Sequence, residues 1–170
     1  MININTKNYI SKNIVSEEKL IKILEKLRKQ GKKIGLCTGS FDLLHPGHIT
    51  HLTSAKKMCD FLVVAIARDN FSSKKQSEKG RPVYSHDLRA FMISKLKPVD
   101  FVFLDDGSEE TVNLVKPNIF IKGPDYADEK SPSILRQKKM IESFGGKMYY
   151  TPDEKLSTTE IIKYIKEEAD

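Results

Sequence analysis

Apolar and polar residues follow one another along this chain in blocks, and the period of each block predicts its element. In SEEKLIKILEKLRKQG (16–31), Leu20, Ile23, Leu24 and Leu27 recur at helical spacing and form one apolar face. Ser16 stands where an N-cap oxygen is needed, and Gly31 where the helix must leave by a left-handed residue. KIGLCTG (33–39) is a short strand that breaks into a glycine turn. Pro46 suits the first turn of the next helix, in which Ile49, Leu52, Ala55 and Cys59 face the core and Lys56 and Lys57 face outward. FLVVAIA (61–67) is a continuous run rich in β-branched residues, as in a parallel strand buried on both faces. The alternation continues with a helix over 85–96, a strand over 101–106 and a helix over 108–116. A strand over 118–123, a helix over 131–146, a strand over 147–151 and a helix over 157–169 complete it.

Strand alternating with helix predicts an α/β fold with a parallel sheet and right-handed crossovers. Residues 1–15 read as a loose N-terminal arm, and 16–170 as a single domain without a linker. A chain of 170 residues fits that size. Ligands of open parallel sheets bind outside the carboxyl ends of the strands. The segments to search are therefore 38–48, 68–82, 105–108, 122–126 and 151–158.

Composition narrows the classes. No apolar run reaches the length of a membrane helix, and the N-terminus lacks a secretory h-region, so a cytoplasmic protein is expected. Cys37 and Cys59 are too few for a disulfide framework. Lys and Arg number 29 against 23 Asp and Glu, a net +6 that favours anionic partners without choosing among them. Arg68, Lys74, Lys75, Lys79 and Arg81 cluster in one stretch, which by itself is a solvated loop. A nucleic-acid-binding module would use that stretch, but it lacks interleaved aromatics and any nucleic-acid motif.

The candidate chemistry lies at the first strand–helix junction, TGSFDLLHPGH (38–48). It is neither a Walker loop nor a dinucleotide fingerprint. Gly39 lets backbone approach an anion, Ser40 and Phe41 offer N–H groups, and the helix start adds its positive dipole end. His45 and His48 place two imidazoles there, and Gly47 leaves room between them. His51 extends the series, but residues six apart diverge around a helix, so a metal cluster of the three is not expected. Farther on, Ser157-x-x-Glu160 reads as a capping box before Ile161, Ile162 and Ile165.

TGSFDLLHPGH resembles the H-x-G-H signature of the cytidylyltransferase-like nucleotidyltransferases. GRPV (80–83), Arg89, VDFVF (99–103), KPNIFIKGPDY (116–126), FGG (144–146) and LSTTEII (156–162) follow in the order of one branch, the heptose 1-phosphate adenylyltransferases of ADP-heptose synthesis. The resemblance implies a single Rossmann-like, doubly wound, parallel five-stranded sheet. It implies that His45 and His48 are catalytic, and that Thr38, Gly39, Ser40, Phe41 and Gly47 bind nucleotide. Lys122, Gly123, Asp125 and Tyr126 match the segment near base and substrate. Ser157, Thr158 and Thr159 match the grip on the β- and γ-phosphates, with the capping box ordering the same helix. Arg81 and Arg89 match basic positions that face substrate phosphate.

The reaction so implied transfers AMP from ATP to a phosphorylated sugar, with Mg²⁺ on the triphosphate and no protein metal site. The sister activity uses CTP and a polyol phosphate such as glycerol 3-phosphate. Dimers are common in the family, and neither nucleic acid nor membrane is an expected partner. The branch commonly has Asn-Gly-Cys in place of Thr38-Gly39-Ser40, and Gly-Gly-Asp-Tyr in place of Gly123-Pro124-Asp125-Tyr126. Proline there removes a backbone donor. Both departures fall around the base and acceptor pockets.

Overall fold

The structure, a computed structural model, describes residues 1–2, 4–70, 80–105, 109–126, 131–154 and 156–168, with Asp125 by its backbone alone. The helices are α1 (Glu17–Lys29), α2 (Pro46–Lys56), α3 (His86–Ser94), α4 (Glu109–Val115), α5 (Pro132–Ser143) and α6 (Thr158–Glu167). The strands are β1 (Ile34–Gly39), β2 (Phe61–Ala67), β3 (Phe101–Asp105), β4 (Ile119–Lys122) and β5 (Lys147–Tyr150). All pair in parallel in the order β3-β2-β1-β4-β5. This is the doubly wound five-stranded sheet expected.

Side chains on a strand alternate between the two faces of the sheet, so the five strands divide the core in two. Leu36, Val63, Ala65, Phe103 and Phe120 pack with Leu20, Leu24, Leu27, Val112, Val115 and Ile141 of α1, α4 and α5. Cys37, Leu62, Val64, Ile66 and Ile121 pack with Leu52, Ala55, Ala90 and Ile93 of α2 and α3. Ser16 caps α1 by accepting the Lys19 N–H at 3.3 Å, and Gly31 follows with φ 69°. On α2 the expected inner face holds for the buried Leu52 and Ala55, whereas Ile49 is exposed. Cys37 and Cys59 are free thiols; burial pushes both up, Cys59 to about 11.

The arm is not loose. Val15 donates its N–H to the Val102 carbonyl at 2.9 Å, and Val102 donates back to Asn13 at 2.8 Å, along the outer edge of β3. Tyr9 meets the Phe91 ring edge-on at 5.1 Å, and Ile2 donates to the Val83 carbonyl at 2.7 Å. The sequence shows no period here because the contacts are few and widely spaced. No helix among the described residues is long and apolar enough to cross a membrane.

Candidate active site

The loop from β1 to α2 is held in an unusual backbone path. Phe41 and Leu43 have φ of 49° and 46°, a left-handed region that side chains occupy only when surrounding contacts enforce it. The enforcing residue lies between them. Buried Asp42 accepts Arg81 Nε at 3.0 Å, the Val83 N–H at 2.8 Å and the Tyr84 N–H at 3.1 Å. Its backbone carbonyl accepts the Thr158 hydroxyl at 2.8 Å. One residue thus joins the first loop, the segment before α3 and the start of α6.

His45 is the N-cap of α2, and its side chain makes no capping bond. Its ring stacks on that of His48, with centroids 3.7 Å apart and planes 25° from parallel. Both Nδ1 atoms are buried without a hydrogen-bond partner among the described residues. Gly47 makes this stacking possible, since a Cβ there would lie 3.1 Å from the His45 ring and 3.2 Å from Leu156 Cβ. Burial, with His45 and His51 nearby, pushes His48 down to about 3. Burial lowers His45 too, against the pull of Glu160. Both imidazoles are therefore neutral at pH 7, each with one N–H and one bare nitrogen. An arriving anion would raise both, because it favours the protonated ring.

A cavity of about 440 Å³ opens over these rings at the carboxyl end of the sheet. Thr38, Gly39, Ser40 and Phe41 border it from β1, and Gly123 and Tyr126 from beyond β4. Arg81 reaches it from the Asp42 side, and Ser157, Thr158 and Thr159 from the start of α6. Four of the searched segments contribute, and 105–108 does not among the described residues. Lys74, Lys75, Lys79 and the Asp125 side chain lie outside the described residues.

Two expected residues sit elsewhere. Arg89 is fully buried, and its guanidinium donates to the carbonyls of Tyr84, Ser40 and Ala67 and to Asp69 Oδ1. It ties the ends of β1 and β2 to the start of α3 and does not border the cavity. Buried Lys122 also stays off the cavity, with its ammonium 4.6 Å from the Phe120 ring centre and 5.0 Å from that of Tyr126. It holds Tyr126 in place by cation–π contact.

Asp153 was not singled out in the sequence, and His51 and Leu156 were given no place in the site, yet all three border the cavity. His51 Nδ1 meets the Thr151 hydroxyl at 2.9 Å, and Asp153 Oδ1 accepts the Ser54 hydroxyl at 2.9 Å. The post-strand segment 151–158 already contained Asp153, and the helical spacing from His48 already contained His51. No cluster of His, Cys, Asp or Glu among the described residues could hold a metal ion.

A parallel α/β sheet, two helix starts converging on one cavity and a paired imidazole between them define a protein of the nucleotidyltransferase class. The profile of the cytidylyltransferase-like family matches residues 36–164, and the chain belongs to that family. It is 36% identical over 155 residues to the bifunctional protein HldE of Vibrio cholerae, a match covering 90% of this chain and 32% of that protein. To the bifunctional protein HldE of Campylobacter fetus it is 39% identical over 165 residues, covering 94% of this chain and 34% of that one. The chain thus spans about a third of the length of these curated relatives. Among solved structures, a lipopolysaccharide core biosynthesis protein from Thermoplasma volcanium superposes with TM-score 0.61 at 32% identity, over 74% of this chain and 100% of that one. Pantothenate synthetase from Thermus thermophilus superposes with TM-score 0.63 at 14% identity, over 88% of this chain and 67% of that one, and shares the fold alone.

Proposed function

We propose that this chain transfers AMP from ATP to heptose 1-phosphate and releases pyrophosphate. The observation that carries the reading is the stacked pair His45 and His48 at the start of α2, with two buried nitrogens that have no partner among the described residues. The similarity to HldE proteins over most of this chain supports the heptose branch.

The acceptor's phosphate oxygen attacks the α-phosphorus. A new P–O bond forms there, the bond from the α-phosphorus to the bridging oxygen breaks, and pyrophosphate leaves with the electron pair. A phosphate monoester is already anionic at neutral pH, so the protein supplies no nucleophile. Its work is positioning and stabilisation of developing charge. The two imidazole N–H groups and the positive end of α2 face the α-phosphate, while Arg81, Thr159 and the start of α6 face the β- and γ-phosphates. The described residues contain no metal-ligand cluster to receive Mg²⁺. When bound with the triphosphate, Mg²⁺ would neutralise charge on its oxygens.

A second reading keeps the fold and the chemistry but uses CTP and glycerol 3-phosphate or a related polyol phosphate. Pro124 at the cavity rim favours it, because the branch carries glycine there. Pyrophosphate release is the test, with Mg²⁺ and with ATP, CTP, GTP and UTP crossed against heptose 1-phosphate, other sugar 1-phosphates and glycerol 3-phosphate. Release confined to ATP with heptose 1-phosphate is the expected result. Release confined to CTP moves the chain to the sister activity. No release in any combination, with nucleotide still bound by calorimetry, would make it a binding module.

A further inference from the structure

The cavity has a wall that this phosphate chemistry leaves unused. Asp153 borders it, in the loop between β5 and α6. Its Oδ1 is fixed to α2 by the Ser54 hydroxyl at 2.9 Å. Its Oδ2 is buried and has no hydrogen-bond partner among the described residues. A buried acceptor left open is costly, and a ligand that brings a donor removes that cost.

Charge decides which donor fits. Arg81 and the starts of α2 and α6 draw phosphate into the cavity, whereas a carboxylate repels it. Asp153 therefore marks the end of the cavity that holds no phosphate. On a nucleoside triphosphate, the neutral donors belong to the base and the ribose. The same cavity carries Leu156, Pro124 and Tyr126, apolar and aromatic surface that suits a flat base.

We infer that Asp153 is a specificity-determining residue, whose free oxygen accepts a hydrogen bond from a neutral N–H or O–H group of the nucleoside. This rests on the nucleotide reading above. The donor is an exocyclic amine of the base or a ribose hydroxyl. An amine donates to the carboxylate; a carbonyl in its place sets oxygen against oxygen. Bases with an amine at that position are accepted and their keto counterparts rejected.

Asp153→Asn tests this because it keeps the shape. The amide oxygen can still accept the Ser54 hydroxyl, and the amide N–H₂ then stands where Oδ2 was, so an acceptor becomes a donor. Calorimetric titration compares wild type and variant with ATP and inosine triphosphate, CTP and UTP, the 2′-deoxy and 3′-deoxy forms of ATP, and inorganic tripolyphosphate. A hydrogen bond to a charged group sets the expected scale. Wild type should bind the amine-bearing nucleotide about 10- to 100-fold tighter than its keto partner, and the variant should lose that ratio. Should the donor be a ribose hydroxyl, a deoxy nucleotide shows the ratio in wild type and the variant loses it there instead. Tripolyphosphate should bind the variant as well as wild type, or better. The inference is overturned if the variant keeps every ratio, if wild type shows none, or if tripolyphosphate binding falls with the rest. If wild type binds neither nucleotides nor tripolyphosphate, the transferase reading fails and this one with it. Nucleotide binding indifferent to Asp153 sinks this inference alone.

Discussion

Two helices begin at the same cavity, and they begin differently. α6 starts with a complete capping box: the Ser157 hydroxyl accepts the Glu160 N–H at 3.2 Å, and Glu160 Oε2 accepts the Ser157 N–H at 2.8 Å. α2 starts with His45, whose side chain caps nothing, followed by Pro46, which has no N–H. The first helix start is satisfied by its own sequence. The second has no side-chain cap, and its positive end meets the cavity. Both present the same positive end to one cavity, so the contrast lies in local chemistry: one start is capped by its own side chains and the other has no side-chain cap.

The sharpest way to break this contrast is His48→Ala. It should lower kcat by about 100- to 1000-fold, the cost of losing one donor at developing charge, and leave the melting temperature nearly unchanged. Pyrophosphate-release kinetics and thermal unfolding read the two effects. A variant that unfolds earlier but turns over normally would make His48 a structural residue and remove it from the chemistry.

Next in size is the pH dependence of stability. His48 has its folded value near 3, below the ordinary 6.5 of an unfolded histidine. Below pH 6.5 the unfolded chain therefore binds the extra proton, and stability falls as pH falls. One such group is worth about 1.4 kcal/mol per pH unit, or about 2 kcal/mol between pH 6.5 and 5. Urea unfolding across that window should show the loss, and His48→Asn should flatten it by about one proton.

A smaller effect is expected of Gly47→Ala, whose Cβ meets the His45 ring at 3.1 Å and Leu156 Cβ at 3.2 Å. Forcing the rings apart should weaken nucleotide binding about tenfold in calorimetry, at the low end of what overpacking costs. Smallest is Ser157→Ala, which removes half of the capping box. It should lower stability by about 1 kcal/mol, a shift of about 2–4 °C in melting temperature. A rate loss above about tenfold would show that the Ser157 hydroxyl leaves the box to meet phosphate, and the two helix starts would then be alike in kind.

The fold was legible because its signals are local. Apolar runs of strand length, helical spacings and caps such as Ser16 and Ser157 each act within a few residues. The first loop was legible for the same reason, its glycine, histidines and proline lying side by side. What escaped depends on distant partners. Arg89 resembles a phosphate ligand until the carbonyls of Ser40 and Ala67 are seen to surround it. Lys122 is diverted by rings on both sides of it in sequence, Phe120 and Tyr126. Asp153 becomes part of the cavity only because Ser54, far away in the chain, ties it down. Asp42 stood in the signature without a role, since its carboxylate partners begin only at Arg81. Ile165 continued the apolar face of α6 in sequence, yet it is exposed, because little of the fold packs beneath that helix.

The short segment Asn13–Val15 has a consequence beyond folding. A sheet's outermost strand offers unpaired N–H and C=O groups, which is how soluble proteins come to stack edge to edge. On β3 the N–H and C=O of Val102 are already taken, by Asn13 and Val15 at 2.8 and 2.9 Å. The opposite edge, β5, has no such cover among the described strands, but it is only four residues long and begins with exposed Lys147, which discourages pairing. The arm thus covers part of an edge at which another chain could pair. Removing the first 15 residues should bare Val102 for pairing and raise aggregation on standing, as light scattering would read.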